Sequence, residues 1–157
     1  QKSLDIQNNK SLLIVFMCNH CPYIKAIEDR LIELGKDLKK LGVTMIGICS
    51  NDSTEHPEDS FSELKKRADE KNYSFEYFHD EDQSAARALG AVCTPDFFLF
   101  NSDGFLKYRG RLDDSWKDPA LVTRRELFEA AQMVVSEKDI TFRQTPSMGC
   151  NIKWKMN

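Results

Sequence analysis

Two hydrophobic rhythms run along the chain. From Ser11 to Met17 (SLLIVFM) nearly every position is apolar. A short run of branched and aromatic residues of this kind suits a strand buried on both faces of a parallel sheet. Beyond it the rhythm changes. Ile24, Ile27, Leu31, Leu34, Leu38 and Leu41 recur at alternating spacings of three and four, which predicts an amphipathic helix of about five turns. Pro22 fits the first turn of that helix and Gly42 its stop. Val43 to Cys49 (VTMIGIC) reads as a second buried strand, closed by the polar turn Ser50-Asn51-Asp52. Pro57 to Asn72 predicts a helix with a charged outer face (Glu63, Lys65, Lys66, Arg67), and Phe75 to Phe78 a short strand. Gln83 to Leu89 predicts a short helix stopped by Gly90. Phe97 to Phe100 and Phe105 to Arg109 predict strands joined by the hairpin turn Asn101-Ser102-Asp103-Gly104. Leu121 to Val135 is the last long helical pattern, and a tail from about 140 carries Pro146, Gly149, Cys150 and Trp154.

Alternating strands and helices followed by a hairpin predict a central, mostly parallel sheet with an antiparallel edge and helices on both faces. The expected class is an α/β sandwich of three layers formed by residues 1–157 as one domain, since neither a repeat nor a Gly/Ser/Pro linker divides the chain. Charge narrows the function. Twenty-two Lys and Arg against twenty-five Asp and Glu give a net charge of −3, which offers no basic field for nucleic acid or anionic lipid. No apolar run approaches the roughly 18 residues of a membrane-spanning helix. The sequence opens on Gln1; a cytoplasmic location is expected, or a periplasmic one if a signal peptide has been removed.

Five cysteines stand against three histidines. An odd count excludes a closed intramolecular disulfide framework, so reactivity, metal binding or packing must account for them. Two form the motif Cys18-Asn19-His20-Cys21, between the first strand and the long helix. There the free N–H groups of the helix start favour a thiolate over a thiol, which lowers the expected pKa of Cys18. An exposed Cys18 would attack a substrate disulfide and Cys21, one turn on, would resolve the mixed disulfide. A charged His20 between them would stabilise the thiolate further and make the pair more oxidising. Far along the chain, Thr94-Pro95 precedes a core strand. If the bond is cis, the loop exposes the Thr94 backbone for strand-like pairing with a substrate peptide.

Strand, CxxC, long helix and a later Thr-Pro before a hairpin resemble the thioredoxin fold. The extra strand and helix between Phe75 and Leu89 resemble the redoxin branch. More narrowly, FMCNHCPYIKA (Phe16–Ala26), GAVCTPDFFLF (Gly90–Phe100), YRGRLDD (Tyr108–Asp114) and GCNIKWK (Gly149–Lys155) resemble bacterial redoxin-domain proteins of the alkyl hydroperoxide reductase and thiol-specific antioxidant type. The resemblance implies a thioredoxin-like α/β/α sandwich with a mixed sheet, a strand-helix insertion before the cis-Pro strand, and a truncated N-terminal hairpin. It also implies thiol–disulfide oxidoreductase activity without a cofactor. The implied partners are a disulfide-containing protein or small molecule and a thiol reductant or oxidant.

Departures qualify that implication. Met17 stands where thioredoxins usually place a Trp, and Leu12-Leu13-Ile14-Val15-Phe16 lacks their buried Asp, which leaves Asp96, Asp113 or His20 as candidate bases. A peroxidatic Cys needs Pro and Thr seven and three residues upstream; here those positions hold Ser11 and Val15, which argues against a thiol-dependent peroxidase of the usual kind. A copper or zinc carrier built on the CxxC is the non-enzymatic alternative, but no second CxxC completes a four-ligand site, and no metal is expected. Cys49 reads as a packed small hydrophobe. Cys93, two residues before Pro95, and Cys150 in the tail are candidates for additional redox partners, packing being the alternative for each. His56 and His79 read as loop residues.

Overall fold

The computed structural model describes residues 10–156; the expected truncation of the N-terminal hairpin lies outside them. The apolar run near the start forms β1 (Leu12–Phe16), and the three-four repeat forms α1 (Pro22–Leu41). Pro22 opens this helix, and Gly42 closes it at a φ of 79°, in the left-handed region that a side chain would resist. There follow β2 (Thr44–Cys49), α2 (Phe61–Lys71), β3 (Glu76–His79), α3 (Ser84–Leu89), β4 (Cys93–Thr94), β5 (Asp96–Phe100), β6 (Leu106–Tyr108), α4 (Glu126–Val135) and β7 (Cys150–Asn151).

Five strands make one mixed sheet in the order β3-β2-β1-β5-β6. β1 runs parallel to β2, and β2 to β3, while β1 pairs antiparallel with β5, and β5 with β6. Side chains of β1 alternate between two cores, as the pleat requires. Leu13 and Val15 join Leu31, Leu34 and Leu38 of α1, Leu64 of α2 and Leu127 of α4 on one face. Ile14 and Phe16 join Ile46, Phe98, Ala86 of α3 and Ile152 of the tail on the other. The layers are therefore helix, sheet, then helix plus tail. No helix among the described residues is long and apolar enough to cross a membrane.

Two helix starts differ from expectation, and both are set by local capping. Residues Pro57–Asp59 form a separate 3-10 turn. Ser60 then turns extended, and its side chain accepts from the Glu63 N–H, so α2 starts only at Phe61. Near the C-terminal end, Pro119–Leu121 make another 3-10 turn. The Asp114 carboxylate accepts from the backbone N–H of Thr123 and Arg124, which holds that segment out of helix until Glu126. The β4–β7 pair, two residues per strand, was not expected at all. It pairs Cys93 with Asn151 and Thr94 with Cys150.

Candidate active site

β1 ends at Phe16, and the Met17 N–H still bonds the Ile48 carbonyl, so the chain leaves the sheet just before Cys18. Cys21 is the N-cap of α1, and its carbonyl accepts from the N–H groups of Ile24 and Lys25. Across from the motif, the Thr94–Pro95 bond is cis. Thr94 touches both cysteines: its Oγ1 lies 3.7 Å from Cys18 Sγ, and its carbonyl accepts from Cys21 Sγ at 3.4 Å. The structure thus brings Cys18, Cys21, Thr94 and Pro95 together.

Cys150 belongs to the same group. Its Sγ lies 3.0 Å from Cys21 Sγ. Cys93 does not: its thiol turns to the Pro95 carbonyl at 3.4 Å, on the neighbouring register position. Cys49 is fully buried within the main core.

The thiols depart from expectation in exposure and in charge. Cys18 is 1% exposed and Cys21 2%, and Cys150 of the tail lies against Cys21. The two thiols are coupled and shift in opposite directions. The hydrogen bond from Cys18, then those from Cys150 and Thr94 and the Ile24 N–H, outweigh burial and bring the Cys21 thiol down to about 4. Cys18 is pushed well up by that same bond to Cys21, by burial and by the negative charge of Asp59. Cys21, not Cys18, is the N-cap of the helix, and the Ile24 N–H adds the smallest share to the lowering of its thiol.

Asp59 is the residue that sequence reasoning missed. It is fully buried; it accepts from the Asn19 N–H at 2.9 Å and from Asn51 Nδ2 at 3.0 Å. His20 Nδ1 stands 3.1 Å from Asp59 Oδ2 but off the line of a hydrogen bond, and its Nε2 lies 3.4 Å from Glu58. His20 also stacks on His56 at 5.8 Å. The ring is therefore engaged with acids rather than with a thiolate. Of the bases expected from sequence, Asp96 is paired with Arg109 and Asp113 with Arg30. Both are occupied elsewhere, and Asp59 is the buried acid beside Cys18. The only sequence signal for it was an acidic pair after Pro57, with nothing local to link it to a loop forty residues earlier.

Two groups of side chains bring metal-binding atoms within 4.8 Å of one another: Cys18, His20 and Asp59, and His20, His56 and Glu58. They supply one thiolate at most, alongside imidazole and carboxylate, rather than the two thiolates that a CxxC carrier would use. Beside Pro95 a small cleft of about 80 Å³ is lined by Tyr23, Phe97, Trp116, Pro146 and Met148. It offers an apolar seat next to the cysteines.

Mixed sheet, helical layers and a cysteine pair facing a cis-proline define a thioredoxin-like, redoxin-domain protein. The family model described as the AhpC/TSA family matches residues 1–109, and the chain belongs to that family. Among solved structures, an uncharacterized conserved protein from Geobacillus kaustophilus is 39% identical, with a TM-score of 0.91 over 98% of this chain and 82% of that one. A hypothetical protein from Sinorhizobium meliloti 1021 is 35% identical, with a TM-score of 0.91 over 98% of this chain and 84% of that one. A secreted disulfide oxidoreductase from Mycobacterium tuberculosis shares the fold at 17% identity, with a TM-score of 0.58 over 79% of this chain and 81% of that one. No curated protein matches the chain. Family and fold together support redox activity.

Proposed function

We propose that the protein is a thiol–disulfide oxidoreductase whose redox centre is the Cys18–Cys21 pair, acting on protein or small-molecule disulfides with a thiol reductant or oxidant as partner. One observation carries the reading: two cysteines at the start of α1, both in contact with Thr94 of the cis-proline loop. Oxidation joins the two sulfurs; reduction by an external dithiol separates them and oxidises the dithiol to a disulfide. Asp59 and Asn19 hold the loop that carries Cys18.

The test is exchange with a model disulfide, followed by mapping of the sulfur bonds. Wild-type protein forms a Cys18–Cys21 disulfide and turns over, Cys21→Ser falls to background, and Cys18→Ser turns over more slowly than wild type. Wild-type rates in both variants would sink the reading. A second reading, thiol-dependent peroxidase, is favoured by the Thr94 hydroxyl beside Cys18, a donor that the upstream positions lack. Rapid sulfenic acid formation with dilute peroxide would support it, and inert thiols would remove it.

A further inference from the structure

The strand edge beside the cysteines is already occupied by the chain's own tail. β7 pairs antiparallel with β4, and Thr94 is matched with Cys150. This is the pairing expected of a docked substrate peptide, with a cysteine of the tail where the substrate sulfur would stand. Flanking bonds hold it in place. The Ile152 N–H bonds the Val92 carbonyl, the Asp52 N–H bonds the Lys153 carbonyl, and the Lys153 N–H bonds Asn51 Oδ1. Ser147 donates to the Pro95 carbonyl at 2.7 Å, and Ile152 is buried in the second core. Gly149 permits the approach: a Cβ there would run into the Thr94 carbonyl. Such a tail is built to lie here, not draped by chance.

Access completes the argument. Cys18 and Cys21 are buried, whereas Cys150, which lies against Cys21, is only partly buried. Cys150 touches Cys21 at 3.0 Å, within reach of exchange without rearrangement of the sheet.

We infer that Cys150 is a third redox cysteine, through which the buried Cys18–Cys21 pair exchanges with thiols and disulfides outside. The inference rests on the dithiol reading above. In the oxidised protein the Cys150 thiolate attacks Cys21 Sγ; the Cys21–Cys150 bond forms, the Cys18–Cys21 bond breaks, and Cys18 leaves as a thiolate and takes up the proton that Cys150 gave. The number of disulfides is unchanged. An external dithiol then attacks Cys150 Sγ and Cys21 departs. The second thiol of that dithiol resolves the mixed disulfide on Cys150. The net result is an oxidised external dithiol and three protein thiols, two electrons and two protons having moved inward. Burial, and after it the contact with Cys21, holds the Cys150 thiol up at about 11 in the reduced state, and oxidation of the pair relieves the second.

Two measurements decide it. Cys18→Ser protein is treated with oxidised glutathione in the presence of about 0.1 mM glutathione, and its disulfides are mapped; a thiol in contact has an effective concentration of about a millimolar or more. Cys21–Cys150 is expected to exceed the Cys21–glutathione adduct by about tenfold or more. A persistent glutathione adduct, or a Cys21–Cys93 bond, would overturn the proposal. Independently of that variant's folding, oxidised wild-type protein is alkylated and its labelled sites are read by mass spectrometry. Label on both Cys18 and Cys150 supports exchange between two disulfides. Label on Cys150 with none on Cys18 overturns the exchange but leaves the Cys18–Cys21 pair standing. Label on Cys18, Cys21 and Cys150 together shows no disulfide and defeats both readings.

Discussion

Buried carboxylates stand in two kinds of surroundings in this molecule. Glu28 faces Arg67 at 2.6 Å, Asp113 faces Arg30 at 2.6 Å, Glu126 faces Arg111 at 2.9 Å and Asp96 faces Arg109 at 3.1 Å. Asp59 is buried as deeply, yet among the described residues no Lys or Arg lies within ion-pair distance of it; it meets two amide donors and the His20 ring. A guanidinium cancels a carboxylate's field close by, so the first four acids act mainly as ties between elements. Arg30 reaches from α1 to Asp113 and to the carbonyls of Ser115 and Trp116, and Arg67 reaches from α2 to Glu28 on α1. The charge of Asp59 is left to act on its neighbours, and it contributes to raising the thiols of both Cys18 and Cys49. Four buried acids are each met by an arginine, and Asp59, beside Cys18, is not.

The largest effect should come from breaking a tie. Arg30→Ala strands Asp113, which is 4% exposed at the side chain, and releases the three carbonyls that Arg30 holds. Loss of one partner of a buried pair costs about 3–5 kcal/mol, readable as a lower midpoint in urea unfolding. A cost near zero would mean that these pairs do not brace the fold.

Arg67→Met should cost less, about 1.5–3 kcal/mol for charged hydrogen bonds, because Tyr73 and Lys71 still face Glu28. Its stronger readout is acid sensitivity. Burial pushes the Glu28 carboxyl up, but Arg67, Tyr73 and Lys71 outweigh it and hold the group below its ordinary value of 4.5. A carboxyl whose folded pKa is depressed stabilises the fold above its unfolded pKa, and that contribution fades as pH falls from about 4.5 through the folded value. Wild-type protein should therefore lose stability across that acid range, and Arg67→Met should lose less there. Equal slopes in the two proteins would remove Glu28 from the account.

Legibility in the sequence followed the distance over which each feature is determined. Strand β1, helix α1 and the Cys18–Cys21 motif between them depend on periodicity and on Pro22 and Gly42, all local, and each is where the pattern placed it. The late starts of α2 and α4 depend on side chains, Ser60 and Asp114, that offer the backbone an alternative to helix. The closure of the site depends on contacts between segments remote in sequence. Asp59 reaches the motif from 40 positions away and Cys150 reaches Cys21 from 129. β7 has two residues, too few for alternation to show. Cys150 stood only as one of two candidate extra redox cysteines, with packing as the alternative, and Asp59 drew no notice, because a polar residue after a proline is usually surface. The thiols shift against expectation for a related reason: the motif fixes the spacing, but the bond between the two sulfurs, burial and the nearby acid set the direction at each.

The smallest effect is the sharpest test of the contrast. Asp59→Asn keeps the shape of the side chain and removes its charge, at a cost of about 1–3 kcal/mol, since Asn19 and Asn51 donate to different oxygens and one of these becomes an NH2. Its electrostatic consequence has a fixed sign. The Asp59 charge raises the Cys18 thiol, third after the bond to Cys21 and burial, so removing it must lower that pKa and enrich the Cys18 thiolate at a given pH. The dominant bond hides this in the intact pair, so the comparison belongs in a Cys21→Ser background, where burial is common to both proteins. There, site-resolved alkylation of Cys18 at neutral pH should be about three- to tenfold faster with Asp59→Asn than without it. Cys93, whose thiol is pushed up to about 11 by burial and by Asp96, lies outside the influence of Asp59 and should react at the same rate in both. A rise at Cys93 equal to that at Cys18 would mean that the substitution loosens the protein, and the distinction between an acid that braces and an acid that tunes would fall with it.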